Sequence, residues 1–333
     1  MKRYIVLLLV ALPVLLVFVP ALLVYTFSPV DTSANIEVIA RQPKTLAAKE
    51  QLPVKVYRTE KKVVETIPLE DYIVGVVAAE MPAEFELEAL KAQALAARTY
   101  IVRRLRENNI EKLPGGAQVL DTVKHQAYYD ADERKEKWGS SYEWKNSRIM
   151  QAVRETAGVI LAYNGKPIDA TFFSTSNGFT ENADEYWNQS IPYLKSVASP
   201  WDTMSPRYRE EKRMDAAALE QRLGVKLDAQ ASTGGTFYTV LERTAGNRIG
   251  RIRIGEKEFT GKEIREALGL NSTAFTMRLQ GGQVVITTHG YGHGVGMSQW
   301  GANGMAKAGK NAEEIVKYFY QGISLENYQK MLN

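Results

Sequence analysis

Pro68-Leu-Glu-Asp-Tyr-Ile-Val-Gly-Val-Val-Ala-Ala-Glu-Met-Pro82 has two acidic residues near its start, an apolar body, and a proline that must stop any helix running into it. It reads as a helix that closes before Pro82 and leaves Glu80 at its terminus. Downstream, Leu87, Leu90, Ala94, Ala97, Ile101 and Leu105 recur at spacings of three and four, which predicts a second helix from about Leu87 to Leu105. Lys91 and Arg98 share another stripe of that helix. Upstream, Pro53-Val-Lys-Val-Tyr-Arg58 and Val63-Val-Glu-Thr-Ile67 are β-prone runs separated by charged residues, as in a hairpin.

Beyond the helix pair, strands are predicted at 159–163, 168–173, 193–197, 237–241, 251–254 and 284–288, interleaved with loops and short helices. This is not a regular βαβ alternation, so the expected fold class is α+β: a mixed sheet with packed helices around a cleft. Two short helix candidates around a strand pair mark residues 215–270 as an inserted subdomain.

The N-terminus is organised differently. Tyr4 to Phe27 carries no charge, and as a helix those residues span roughly 36 Å, enough for a hydrocarbon core of about 30 Å. Lys2 and Arg3 precede the run and no basic residue follows until Arg41, so the positive-inside bias expects a cytoplasmic N-terminus and an extracytoplasmic remainder. A cleaved signal peptide is the competing reading; the length of the run and the lack of a clear A-x-A site favour an anchor. The expected organisation is a cytoplasmic tail (1–3), a single transmembrane anchor (4–27), a tether (28–51) and a catalytic ectodomain (52–333).

The 333 residues carry a formal charge of +4, too small to point to nucleic acid as a partner. Cysteine is absent, which excludes disulfides and thiolate chemistry and suits an exported chain. With three histidines, any metal site would need carboxylates.

Glu80 follows seven residues without a polar side chain. Such surroundings penalise ionisation and raise a carboxyl pKa, which suits a general acid near neutral pH. A surface carboxylate at a frayed helix end fits the same periodicity. Ser174-Thr-Ser-Asn-Gly178 follows the apolar Phe172 and Phe173 and would present hydroxyls and an amide suited to sugar hydroxyls or N-acetyl groups, or else a turn satisfying its own backbone. Tyr186, Trp187, Tyr193 and Trp201 offer rings for pyranose faces, or for the core. His289-Gly-Tyr-Gly-His-Gly-Val-Gly-Met-Ser-Gln-Trp-Gly-Ala-Asn-Gly304 has six glycines in sixteen residues, so close packing against it is expected. The spacing is neither a dinucleotide fingerprint nor a P-loop. His289 and His293 are four apart, like zinc ligands on a helix, but alternating glycines disfavour a helix there.

Val76-Val-Ala-Ala-Glu-Met-Pro-Ala-Glu-Phe-Glu-Leu-Glu-Ala-Leu-Lys-Ala-Gln-Ala-Leu-Ala-Ala-Arg-Thr-Tyr100, Ser174-Thr-Ser-Asn-Gly178 and Gly292-His-Gly-Val-Gly-Met-Ser-Gln-Trp-Gly301 together resemble the stage II sporulation protein D family. The blocks stand in the family's order across almost the whole ectodomain. The resemblance implies a lytic transglycosylase that cleaves between N-acetylmuramic acid and N-acetylglucosamine in glycan strands stripped of stem peptides, with Glu80 as the catalytic acid. It implies that Lys91 and Arg98 orient substrate or tune that acid. Ser174, Thr175, Asn177, Tyr193, Asp202, His293, Ser298 and Gln299 are the further substrate-binding candidates. Some relatives bind zinc near the segment that holds His125; without cysteine, no metal and no cofactor is expected here. The implied partners are peptidoglycan, a sporulation membrane protein and a cell-wall amidase, at the mother-cell membrane during engulfment. The alternatives from other classes are a non-catalytic glycan-binding scaffold and a zinc amidase or peptidase, the latter short of ligands.

Overall fold

The computed structural model describes residues 52–107, 111–227 and 237–332. The anchor (4–27) and tether (28–51) expected from sequence lie outside the described residues. Among those that are described, no helix is long and apolar enough to cross a membrane.

Strands β1 (Pro53–Arg58) and β2 (Val63–Pro68) form the expected antiparallel hairpin, and β3 (Val119–Leu120) adds to β1 in parallel. The chain turns directly from Pro68 into α1 (Leu69–Glu80), which ends where Met81 goes extended ahead of Pro82. That is the restriction proline places on the residue before it. Helix α2 (Leu87–Arg106) follows, one residue longer at its end than the apolar spacing suggests. Helices α3 (Ala131–Trp138) and α4 (Tyr142–Glu155) precede β4 (Val159–Tyr163), which pairs with β5 (Lys166–Pro167) and with β14 (Ser324–Asn327). Strand β6 (Phe172–Phe173) pairs in parallel with β13 (Met297–Ser298), just before α8 (Gln299–Lys307) and α9 (Ala312–Phe319). Between those two short strands lie α5 (Ala183–Trp187), β7 (Arg209–Asp215), α6 (Ala216–Leu223), β8 (Tyr238–Arg243), β9 (Ile249–Ile254), β10 (Lys257–Thr260), α7 (Gly261–Leu268), β11 (Phe275–Gln280) and β12 (Gln283–His289).

The class is α+β, as expected, but the single mixed sheet is not what forms. The described strands make five sheets of two or three strands each. The expected strand at 193–197 is absent and 168–173 shrinks to Phe172–Phe173, because both segments pair with neighbouring loops instead of a long ladder.

Two hydrophobic cores hold this unit. The larger gathers α1, α2, α4, α8 and α9 around residues such as Ile73, Leu90, Leu95, Ile149, Leu161 and Phe319, all buried. The second, around Leu219, Ile252, Ile264, Phe275 and Ile286, is built from β7 through β12 with α6 and α7. It takes in more chain than the expected 215–270, since β7, β11 and β12 make one three-stranded sheet that faces it.

Candidate active site

Helix α1 is apolar from Ile73 to Ala79 because it is buried on nearly every side, and it delivers Glu80 to its C-terminal end. The Glu80 carboxyl is only partly exposed, and its Oε1 accepts a hydrogen bond of 2.8 Å from the Ala127 backbone N–H. Burial pushes its pKa up to about 6, with the Ala127 bond pulling the other way. Among the described residues no cation contributes. The partial negative charge at a helix C-terminus acts in the same direction as burial.

The glycine-rich segment reaches this helix end. Gln299, the first residue of α8, donates from Nε2 to the Glu80 carbonyl oxygen at 2.9 Å, and lies 3.5 Å from Gln93 Oε1 on α2. Asn303 Oδ1, one turn further on, accepts from the Glu86 N–H at 2.9 Å. Trp300 meets Phe85 edge-on, with centroids 4.9 Å apart. Side chains of α8 thus satisfy backbone groups that the α1–α2 turn would otherwise leave orphaned.

Behind Gln299, Ser298 caps α8 through the Gly301 N–H and donates to Asp202 Oδ1 at 2.5 Å. Asp202 also accepts from the Ser176 N–H at 2.7 Å and from the Ser199 hydroxyl. Desolvation raises its pKa against those three bonds. Asp202 and Ser298 are therefore joined to each other and, through Gln299, to the Glu80 end of α1.

Of the other sequence candidates, Ser174 lies beside the same segment, its carbonyl accepting from the Trp300 N–H at 3.1 Å, and the rest have partners of their own. Arg98 is fully buried; its guanidinium binds Glu70 at 2.7 Å and the carbonyls of Val153 and Val159, so it ties α1 and α2 to α4 and β4. Its ion pair is with Glu70, not with Glu80. Lys91 is engaged by Glu88 and Glu155, at 2.6 and 2.5 Å. Within the Ser174–Gly178 cluster the Thr175 hydroxyl is buried against Ser205 at 2.8 Å, and Asn177 Nδ2 donates to Gly246 O at 3.0 Å. Both are used to hold neighbouring turns. Ser174 stays half-buried, 3.1 Å from the Thr175 hydroxyl. The Tyr193 hydroxyl accepts from the Asp169 N–H at 2.9 Å, and its ring lines a groove of about 640 Å³ with Arg103, Arg106, Tyr163 and Lys166. Arg103 is ten residues, roughly 15 Å, along α2 from Gln93. His293 lies among Phe173, Tyr186 and Trp187, and burial with Arg265 and Arg248 nearby pushes its pKa down to about 4.

Ala127, Gln93 and Asn303 escaped the sequence reading. A backbone donor 47 residues from its acceptor leaves no trace in composition. Gln93 left one, a polar residue inside an alanine-rich buried run.

An α+β protein with a half-buried carboxyl of raised pKa at a helix end, braced by a glycine-rich segment, is the class that fold and site define. The SpoIID family profile, Stage II sporulation protein, matches residues 57–163. The chain is 47% identical over 328 residues to the Stage II sporulation protein D of Bacillus subtilis, covering 96% of this chain and 94% of that one. Against the Stage II sporulation protein D of Bacillus amyloliquefaciens the figures are 45% over 343 residues, 99% and 97%. A more distant relative is the Amidase enhancer of Bacillus subtilis, 32% identical over 304 residues, covering 76% of this chain and 40% of that protein. The chain belongs to the stage II sporulation protein D family.

Proposed function

We propose that this protein is a peptidoglycan lytic transglycosylase in which Glu80 serves in turn as acid and base. The observation that supports this most is the Glu80 carboxyl itself, half-buried, without an ion-pair partner among the described residues and raised to about 6. About a tenth of such groups carry a proton at pH 7, and the conjugate base is strong enough to take one back. Glu80 protonates the glycosidic oxygen between the muramic and glucosamine residues. As carboxylate, it then removes the proton from the muramic C6 hydroxyl, whose oxygen closes on C1 to give a 1,6-anhydro ring. One carboxyl suffices, since no water has to be activated from the opposite face as in two-carboxylate hydrolysis.

Glycan strands stripped of stem peptides, digested and weighed, test the scheme. Anhydro-ended products are expected; ordinary reducing ends would reject it. Glu80→Gln should bind insoluble strands and release nothing, whereas a wild-type protein that also binds without releasing sugar would be a scaffold.

The same reading places the chain on the membrane through residues 4–27, N-terminus inside, with the rest facing the wall between mother cell and forespore. The uncharged run and the basic residues before it support this. Deleting 4–27 should move the protein out of the membrane fraction; an unchanged distribution would remove the anchor. Partnership with a cell-wall amidase is supported by the relative named Amidase enhancer, and a sporulation membrane protein is the second partner in this scheme. Co-purification of both with the full chain would test it, and recovery of neither would count against it.

A further inference from the structure

Arg58 ends β1 with 1% of its side chain exposed, yet its guanidinium meets four carboxylates from three places in the chain. Nε donates to Asp121 at 3.0 Å, Nη1 to Glu65 at 3.1 Å and to Asp130 at 2.9 Å, and Nη2 to Glu133 at 2.6 Å. The Tyr128 ring lies 5.0 Å from the same guanidinium and stacks on Tyr72 of α1. Lys61 is a second cation of the cluster, 2.6 Å from Asp130.

Asp121 and Asp130 are the two ends of one loop, and near its middle is Ala127, whose N–H holds Glu80. We infer that Arg58 is a positioning residue for Glu80: by tying both ends of the 121–130 loop to one guanidinium, it keeps the Ala127 N–H on the carboxylate. The inference rests on Glu80 being the reacting acid.

The second half of the loop has its own ties. Gln126 accepts from the Tyr72 hydroxyl, and the Tyr129 N–H donates to Gly75 O at 3.2 Å. In the first half, backbone bonds join Asp121 N–H to Tyr57 O and Tyr128 N–H to Asp121 O, both at 3.3 Å, and the Asp121 carboxylate, held by Arg58 and the Thr59 N–H, sets where that backbone sits. Without the guanidinium, Glu65, Asp121, Asp130 and Glu133 face one another with Lys61 as their cation, and like charges at this range push the loop end away. Lysine is a point charge and does not span four carboxylates as the planar fork does. A displacement of about 1 Å at Ala127 breaks a 2.8 Å hydrogen bond. Glu80 would then ionise less readily, because a bond to the charged form has been lost. The ionisable neighbour on Glu80's own side is Tyr72, whose hydroxyl is itself raised by burial.

The test is the titration of Glu80 in the full chain by carbon NMR with δ-labelled glutamate, its signal assigned by its loss in Glu80→Gln. Arg58→Lys should raise the midpoint by roughly 0.5 to 1 pH unit. The basic limb of kcat/KM against pH should move up equally, with KM unchanged. Arg98→Lys, which loosens another buried arginine of the same core, should leave the midpoint where it is. An Arg58→Lys protein with the wild-type midpoint overturns the inference, as does an equal shift in Arg98→Lys. Should Arg58→Lys not fold, Asp121→Asn cuts one end of the tie alone: a smaller upward shift supports the inference and an unmoved midpoint overturns it. If Glu80→Gln still cuts strands, the transglycosylase reading fails, while the NMR midpoint still decides the role of Arg58.

Discussion

Desolvation outweighs the one backbone donor at Glu80, and none of the described residues forms an ion pair with it, so the folded protein holds its proton more tightly than the unfolded chain does. The sign of the consequence follows from linkage. With a folded pKa of about 6 against an ordinary 4.5, the contribution to stability is complete below pH 4.5 and is lost as pH rises through 6. Glu80→Gln keeps an acceptor for the Ala127 N–H and has nothing to ionise. It should match the wild type at pH 4 and exceed it by about 1–2 kcal/mol at pH 8, read from urea unfolding at the two pH values. Strand cleavage should fall by about 10²–10⁴-fold. More stability with less activity is the exchange expected where a buried carboxyl is kept for chemistry. Equal urea midpoints at pH 8 would show that Glu80 ionises as freely as an exposed carboxylate.

At the scale of elements, the segment from His289 to Ser298 is threaded through the rest of the fold. Thr175 pairs with Tyr291, Glu181 with Val295, and β6 with β13. The alternating glycines allow that closeness. Gly296 has φ +82°, and a Cβ there would lie 2.1 Å from the Thr171 carbonyl oxygen. Gly296→Ala should therefore cost about 2–5 kcal/mol, from left-handed strain plus overpacking. Gly281 has a similar left-handed backbone, φ +58°, in open space. Gly281→Ala should cost no more than about 1–2 kcal/mol. Chemical denaturation of the pair separates contact from conformation; equal losses would mean that the threading contributes nothing. Because β13 runs into α8, the Gly296 change should also loosen Gln299 from Glu80.

Across the whole molecule, one buried arginine joins the main elements of the larger core. Arg98 reaches Glu70 on α1, carbonyls at the end of α4 and the start of β4, and the Thr156 hydroxyl. Replacing it by methionine leaves Glu70, 13% exposed, without its cation, and should cost on the order of 3–5 kcal/mol. At a temperature where the variant is still folded, KM for glycan strands should be unchanged. A raised KM with intact stability would return Arg98 to substrate binding. The two cores are linked by polar groups at one turn, where Gly246 receives Asn177 and donates to Glu181, while Arg248 lies under the glycine-rich segment.

Much of this was legible in the sequence. Apolar spacing and Pro82 set helices α1 and α2 to within a residue or so, and the same run of side chains marked Glu80 as a carboxyl that burial would raise. These are local properties, fixed by what a helix repeats and what a proline forbids. The partition of the polar residues was not local. Thr175, Asn177 and Arg98 have side chains as suited to sugar as to the fold, and only the tertiary structure turned them inward, where a buried donor must find an acceptor. The fate of Asp202, the groove at Tyr193 and the hold of Ala127 on Glu80 were decided in the same way, by groups distant in sequence that folding brings within hydrogen-bond reach.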